Sequence, residues 1–230
     1  MLKNEEDMKS NPLFKQLNAC LVLMFTMLTI SSSHAIPREI ILIRHADKLK
    51  QYQPGPFLSD IGQARAEMFM RYYINKMEPT PTLVNPYPEQ TFPIPNFIIA
   101  TKASHASNRE QLTIAPLVSE LISRGYLKQY DLILNTFSHG DDGLNKLSKS
   151  LLTNAMYNNQ FILICWHHGE IPKLLDRLGV KPHQHKLPDD EYDTVYDIKF
   201  NSSGATILTI LRDQYPALEN ASIDYQSMVK

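Results

Sequence analysis

The chain has 230 residues, a formal net charge of −1 and 43% hydrophobic residues, which suits one globular domain with a full core. Its balanced charge excludes a bulk field that would recruit nucleic acid. Two cysteines exclude a disulfide-stapled scaffold, and the sequence carries no internal repeat or low-complexity tract.

Lys3, Lys9 and Lys15 precede an apolar run from Ala19 to Ile30, and Ser31-Ser32-Ser33-His34-Ala35 follows it. This is the order of a secretory signal peptide: basic region, apolar core, small residues before the cut. Ser33-His34-Ala35 predicts cleavage after Ala35, dividing the chain into a signal peptide (1–35) and one domain (36–230). The expected location is secreted or periplasmic, with no stable membrane span after processing. The alternative is an uncleaved N-terminal anchor, since Glu5, Glu6 and Asp7 offset the lysines. Against an anchor, the apolar run is short for a membrane span. The processed chain keeps only Cys165, which lies in an apolar run and reads as a core residue.

Ile40-Ile41-Leu42-Ile43 reads as a strand buried on both faces, ending abruptly in Arg44-His45. A loop with Pro54-Gly55-Pro56 leads to a helix capped by Ser59 or Asp60, with Ile61, Ala64, Met68 and Tyr72 expected on its packed face. Six prolines between Glu78 and Pro95 forbid regular structure and predict a long ordered loop or lid. A second strand, Phe97 to Thr101, precedes a polar loop and a helix from Arg109 to about Ser123. Leu132-Ile133-Leu134 reads as a short strand, and Asp141-Asp142-Gly143 opens an amphipathic helix carrying Leu144, Leu147, Leu151 and Leu152. The third strong strand, Phe161 to Trp166, ends in His167-His168-Gly169-Glu170, and Pro172 then starts a short helix reaching Gly179. Val195–Phe200 and Ala205–Leu211 flank Asn201-Ser202-Ser203-Gly204 as an edge hairpin. Strands alternating with helices predict a three-layer α/β/α sandwich with a mostly parallel central sheet and an antiparallel edge hairpin.

Three strands end in polar residues: Arg44-His45, then Thr101 with Ser107-Asn108-Arg109 beyond, then His168-Gly169-Glu170. In a parallel sheet these carboxyl ends share one side. Two arginines and two histidines then converge, and such cations repel unless an anion lies between them. A phosphate fits, because guanidinium offers a planar fork of donors and imidazole can act as base or nucleophile.

The order Leu42-Ile43-Arg44-His45-x-x-Lys48, Leu58-Ser59-x-x-Gly62-x-x-Arg65-Ala66, Ser107-x-Arg109-x-x-x-Thr113-x-x-Pro116-Leu117 and Trp166-His167-His168-Gly169-Glu170 resembles the histidine phosphatase superfamily, the phosphoglycerate-mutase-like group. The Tyr192-Asp193-x-Val195-Tyr196 stretch is similar as well. The resemblance covers nearly all of residues 39–212. It implies a phosphatase acting on phosphomonoesters without metal or other cofactor. His45 would be the nucleophile, forming a phosphohistidine. Arg44, Arg109 and His168 would hold the phosphoryl oxygens, and Ser107 either donates to phosphate or caps a helix. His168 is preferred to His167 because it is followed by glycine. The chain departs from the family in having Ala46 after the nucleophile, where glycine is usual.

Many members of the group place a glutamate proton donor in a middle loop, and this chain has no clear match. Glu170 is the expected donor, with Asp47, Glu110 and Asp189 as alternatives. His167 reads as a supporting or solvent-facing group, and Lys48 and His105 as rim residues. A metal site from His167, His183 and His185 lacks obvious carboxylate or thiolate partners, so no metal is expected. The expected partner is a small phosphorylated substrate or inorganic phosphate, with no nucleic acid; oligomeric state is not legible. Two alternatives remain open: a non-catalytic phosphate-binding or protein-interaction domain of the same fold, and a protein phosphatase acting on phosphohistidine.

Overall fold

The computed structural model describes residues 36–48, 55–79, 81, 91–180, 188, 190–201, 204 and 206–212. The expected signal peptide and its cleavage site lie outside them, as do His183, His185, Asp189 and most of the proline-rich segment. The elements are β1 (Glu39–Arg44), α1 (Asp60–Met77), β2 (Phe97–Ala100), α2 (Arg109–Ser123), β3 (Leu132–Ile133), α3 (Asp141–Thr153), β4 (Phe161–Trp166), α4 (Ile171–Arg177), β5 (Val195–Phe200) and β6 (Thr206–Leu211).

The six strands form one sheet in the order β3-β2-β4-β1-β5-β6. The pairs β1–β4, β2–β4 and β2–β3 are parallel, while β1–β5 and β5–β6 are antiparallel. This is the expected parallel sheet with an antiparallel hairpin at one edge. Successive strand residues alternate between faces, so β1 feeds two cores. Ile40 and Leu42 pack with Leu144, Leu147 and Leu151 of α3 and Leu174 and Leu175 of α4. Ile41 and Ile43 pack with Phe69 and Tyr73 of α1 and Ile114, Leu117 and Leu121 of α2. Every β1 residue is buried, as a strand covered on both faces must be. Cys165 is a free thiol in the second core, and burial holds it well above the usual thiol range.

One helix face differs from expectation. Ser59 does cap α1, its hydroxyl accepting from the Gly62 N–H. The buried face, however, is Gly62, Ala66, Phe69, Tyr73, Ile74 and Met77, and Ile61 is 53% exposed. The reason is a backbone approach: a Cβ on Gly62 would meet the Asp47 carbonyl oxygen at 2.2 Å. The only residue without a side chain is turned inward, and this rotates the apolar stripe by one position. The end of the proline-rich segment docks on the same helix. Phe92 is buried against Tyr72 and Tyr73, and the Tyr73 hydroxyl donates to the Pro93 carbonyl.

The sheet also buries two carboxyls. Glu39 and Asp197, on the paired strands β1 and β5, are 8% and 7% exposed. Burial, and next the Asp197 charge, push the Glu39 carboxyl up to about 7, against the pull of Lys199 and Arg38. Asp197 is raised too, chiefly by burial. A carboxyl whose folded pKa exceeds its unfolded value binds its proton more tightly when folded. Its contribution is therefore present at low pH and lost as pH rises through the folded value. Between pH 4.5 and about 7 the wild-type protein is expected to lose stability relative to E39Q. Urea midpoints of both proteins at pH 4.5 and pH 8 check this, and a gap that does not change with pH contradicts it.

Candidate active site

The parallel register aligns the carboxyl ends of three strands. Arg44 pairs with Trp166, and Ala100 with Cys165. The residues that follow, His45, Thr101 and His167, therefore leave the sheet at the same end. The strand ends are also tied directly, because the His45 N–H donates to the Trp166 carbonyl.

His45 is 1% exposed. Its Nδ1 lies 2.7 Å from the Ala46 carbonyl oxygen. A carbonyl only accepts, so Nδ1 carries the proton. In the neutral ring the lone pair is then on Nε2, which is buried without a hydrogen-bond partner. Burial dominates the electrostatics and pushes the imidazole down to about 3, although the Ala46 contact opposes it and Arg44, Arg109 and His167 add to it. Near pH 7 this is a neutral ring with its lone pair on Nε2, its pKa lowered further by the charges of Arg44 and Arg109.

The loop after β1 is held from two sides. The Ala46 N–H donates to Thr113 Oγ1 (2.8 Å), and the Thr113 hydroxyl donates to the Arg109 carbonyl (2.7 Å). One threonine thus links Ala46, whose carbonyl meets the His45 ring, to the start of α2. On the other side Arg65 binds the Asp47 carboxylate through Nε (2.5 Å) and Nη2 (3.3 Å). The Asp47 carbonyl accepts from the Ser59 N–H and hydroxyl, directly above Gly62. The Ser59-x-x-Gly62-x-x-Arg65 spacing is therefore a clamp on residues 45–48. Lys48 completes it through a bridge to Leu58, with an exposed side chain.

Arg44 is 3% exposed. Its Nη1 donates to the carbonyls of Pro188 (3.0 Å) and Glu191 (2.6 Å), and its guanidinium lies 3.9 Å over the Tyr192 ring. Arg65 faces the same ring at 5.3 Å. Tyr192 also lies 6.5 Å from His45 and so forms one wall of the site. Sequence reading noticed Tyr192 only as part of a resemblance, because its contacts come from a loop about 145 residues further on than Arg44.

Arg109 opens α2, and its charge lowers the pKa of His45 and of His167. His167 and His168 both stand 5.8 Å from His45 between ring centroids, the first tilted and the second edge-on. The expected choice of His168 over His167 is thus too narrow, since strand β4 delivers both. His167 is held below the usual histidine range, chiefly by burial, then by His139. His105 is exposed, as expected of a rim residue.

Two expected roles need correction. The Ser107 hydroxyl donates to Glu110 Oε2 (3.1 Å), so it is engaged within its own turn and does not cap α2. The residue before α2 is Asn108, which makes no side-chain cap bond. Glu170 is not placed as an acid. Its Oε1 accepts from the Gly140 N–H (2.7 Å), and its Oε2 from the Trp166 indole N–H (2.8 Å). Burial raises this carboxyl, but His139, Gly140 and Trp166 together outweigh it and hold the group below the usual range. A carboxylate so engaged keeps its charge. Trp166, fully buried, lies beneath the site as expected.

His139 is the residue that sequence reading missed. Its Nε2 lies 3.7 Å from Glu110 Oε1 and its Nδ1 3.8 Å from Glu170 Oε2. Its ring is 5.2 Å from that of His167. Glu110 is 1% exposed. The available signal was a histidine in the loop following a parallel strand, hence at the same sheet end as His45. His45, His167 and His168 offer ring nitrogens within 4.8 Å of one another, and His139, His167 and Glu170 form a second such group, but the charges of Arg44 and Arg109, which act on His45, favour an anionic occupant over a cation.

No protein-family model matches the chain, and no curated protein matches it. Among solved structures it is similar to a phosphoglycerate mutase from Plasmodium falciparum (13% identity, 77% of this chain and 91% of that one, TM-score 0.47). It is also similar to the protein histidine phosphatase SixA complexed with tungstate (10%, 76% and 96%, TM-score 0.47). A third is a mycobacterial glucosyl-3-phosphoglycerate phosphatase with inorganic phosphate (11%, 76% and 95%, TM-score 0.44). At such distance the residue roles stand on this chain's own geometry.

Thr113→Val removes the acceptor for the buried Ala46 N–H while keeping the side-chain shape. It is expected to destabilise the protein by about 1–3 kcal/mol, the cost of an unsatisfied buried donor. Urea denaturation measures this, and an unchanged midpoint would mean that the Ala46–Thr113 bond does not hold the loop.

Proposed function

We propose that the chain is a phosphatase of the histidine phosphatase type, hydrolysing phosphomonoesters through a phosphohistidine on His45. The observation that carries this reading is the protonation pattern of His45: Nδ1–H given to the Ala46 carbonyl, Nε2 buried without a partner among cationic groups. A structural histidine would have its second nitrogen satisfied. A nucleophile needs that lone pair kept available.

The reaction follows from the placement. A phosphoryl group spreads its charge over three oxygens, so catalysis is mostly positioning and electrostatic stabilisation. Arg44 is fixed by two carbonyls and the Tyr192 ring, Arg109 by the start of α2, and His167 and His168 by the end of β4. These groups would surround the phosphoryl oxygens while His45 Nε2 attacks phosphorus. Water then releases phosphate from the imidazole. Export of the domain belongs to the same reading and is supported by the residue order of 1–35 alone.

Brief incubation with p-nitrophenyl phosphate followed by acid-free denaturation is expected to trap a base-stable, acid-labile phosphoryl group on His45. H45A should lose both the label and turnover while keeping its unfolding free energy within about 1 kcal/mol of wild type. Binding of phosphate without label or turnover would instead mark a non-catalytic phosphate-binding domain.

A further inference from the structure

A phosphomonoester releases an alkoxide of high pKa, and a positioned acid that protonates it contributes about 10²–10⁴-fold. The carboxylate best placed in the sequence, Glu170, is spent on the Gly140 and Trp166 N–H groups. We infer that His139, held between Glu110 and Glu170, is the general acid that protonates the leaving oxygen; this rests on the phosphatase reading above.

The argument begins with position. His139 stands in the loop between β3 and α3, one ring beyond His167, which itself neighbours His45. A leaving group departs on the side of phosphorus opposite Nε2 of His45, so its acid must come from an element other than β1. The two nitrogens of His139 are differently placed. Nδ1 faces Glu170 Oε2, whose other contacts anchor it to Gly140 and Trp166. Nε2 is buried without a hydrogen-bond partner and faces Glu110 Oε1, which has none either. With Nδ1 turned to the anchored Glu170 carboxylate, the proton assigned to the leaving oxygen is the one on Nε2.

The charges around the ring agree. From α2 come Glu110 and Arg109; from the end of β4 and the turn after it come His167 and Glu170; Asp141, opening α3, is tied to Lys173 and Arg177. The Glu170 carboxylate, 3.8 Å from Nδ1, contributes most to raising His139 above the usual histidine range, against burial and Arg109 and with further help from Glu110. His45 and His167 are pushed the other way. Two imidazoles driven apart in this manner divide the labour of nucleophile and acid.

The steps balance. The His45 Nε2 lone pair forms the N–P bond as the P–O ester bond breaks. The departing oxygen keeps the bonding pair and takes the proton from His139 Nε2, which becomes neutral. A water oxygen then attacks phosphorus, the N–P pair returns to His45, and His139 accepts a water proton. The net change is ester plus water to alcohol plus phosphate.

The test compares wild type with H139Q on ethyl phosphate and on p-nitrophenyl phosphate, whose leaving group needs little protonation. kcat/KM on ethyl phosphate is expected to fall by about 100-fold or more, and on p-nitrophenyl phosphate by only about 5-fold. Equal losses on the two substrates, or none on ethyl phosphate, overturn the role of His139 and leave the phosphatase reading standing. A wild-type protein that turns over neither substrate and forms no phosphohistidine overturns both. Should H139Q fail to fold, E170Q decides. Loss of that carboxylate lowers the pKa of His139, so the alkaline limb for ethyl phosphate should move to lower pH; an unmoved limb overturns the proposal.

Discussion

The contact on which the site depends is short and local: the His45 imidazole donates from Nδ1 to the carbonyl of the next residue. It selects the tautomer, and the tautomer leaves the lone pair on Nε2, which is buried without a hydrogen-bond partner. A ring bonded through Nε2 instead would have the wrong atom exposed to an incoming group. Burial keeps this ring neutral, because a charged imidazole with no anion beside it would lose its hydration and gain two guanidinium neighbours.

Much of the surrounding structure serves to hold the Ala46 carbonyl in place. Thr113 secures the Ala46 N–H and reaches the Arg109 carbonyl, so the acceptor and the start of α2 move together. Arg65, Ser59 and Gly62 hold Asp47, the next residue along. The twist of α1, the identity of Gly62 and the tautomer of His45 are thereby one linked problem. Tyr192 closes the far side by stacking against Arg44, whose Nη1 is fixed by two backbone carbonyls. Arg44 is thereby held next to His45 despite the repulsion of the nearby cations.

The sheet was legible because β1 and β4 are long β-branched and apolar runs, and periodicity reports such strands directly. The convergence of Arg44, His45, Arg109 and His167-His168 followed from parallel strands sharing a carboxyl end. What escaped was set by contacts that periodicity does not encode. Ile61 looked like a packing residue until the Gly62–Asp47 approach turned it outward. Glu170 looked like an acid because a carboxylate beside His168 has the right chemistry; only the indole and amide donors on its oxygens show it to be engaged. His139 went unseen because a lone histidine before a helix carries no pattern, and its partners lie on α2 and after β4, far off in the chain.

The protonation pattern of His45 can be read directly. In protein labelled with 15N histidine, long-range correlation spectra report which ring nitrogen of each histidine carries a proton. With single-residue substitution to assign the ring, His45 is expected to show one protonated nitrogen, Nδ1, and an unprotonated Nε2 from pH 8 down to the lowest pH at which the protein stays folded, its pKa being pushed down to about 3. A His45 ring that takes a second proton near the ordinary histidine range, or that carries its proton on Nε2, would contradict the account.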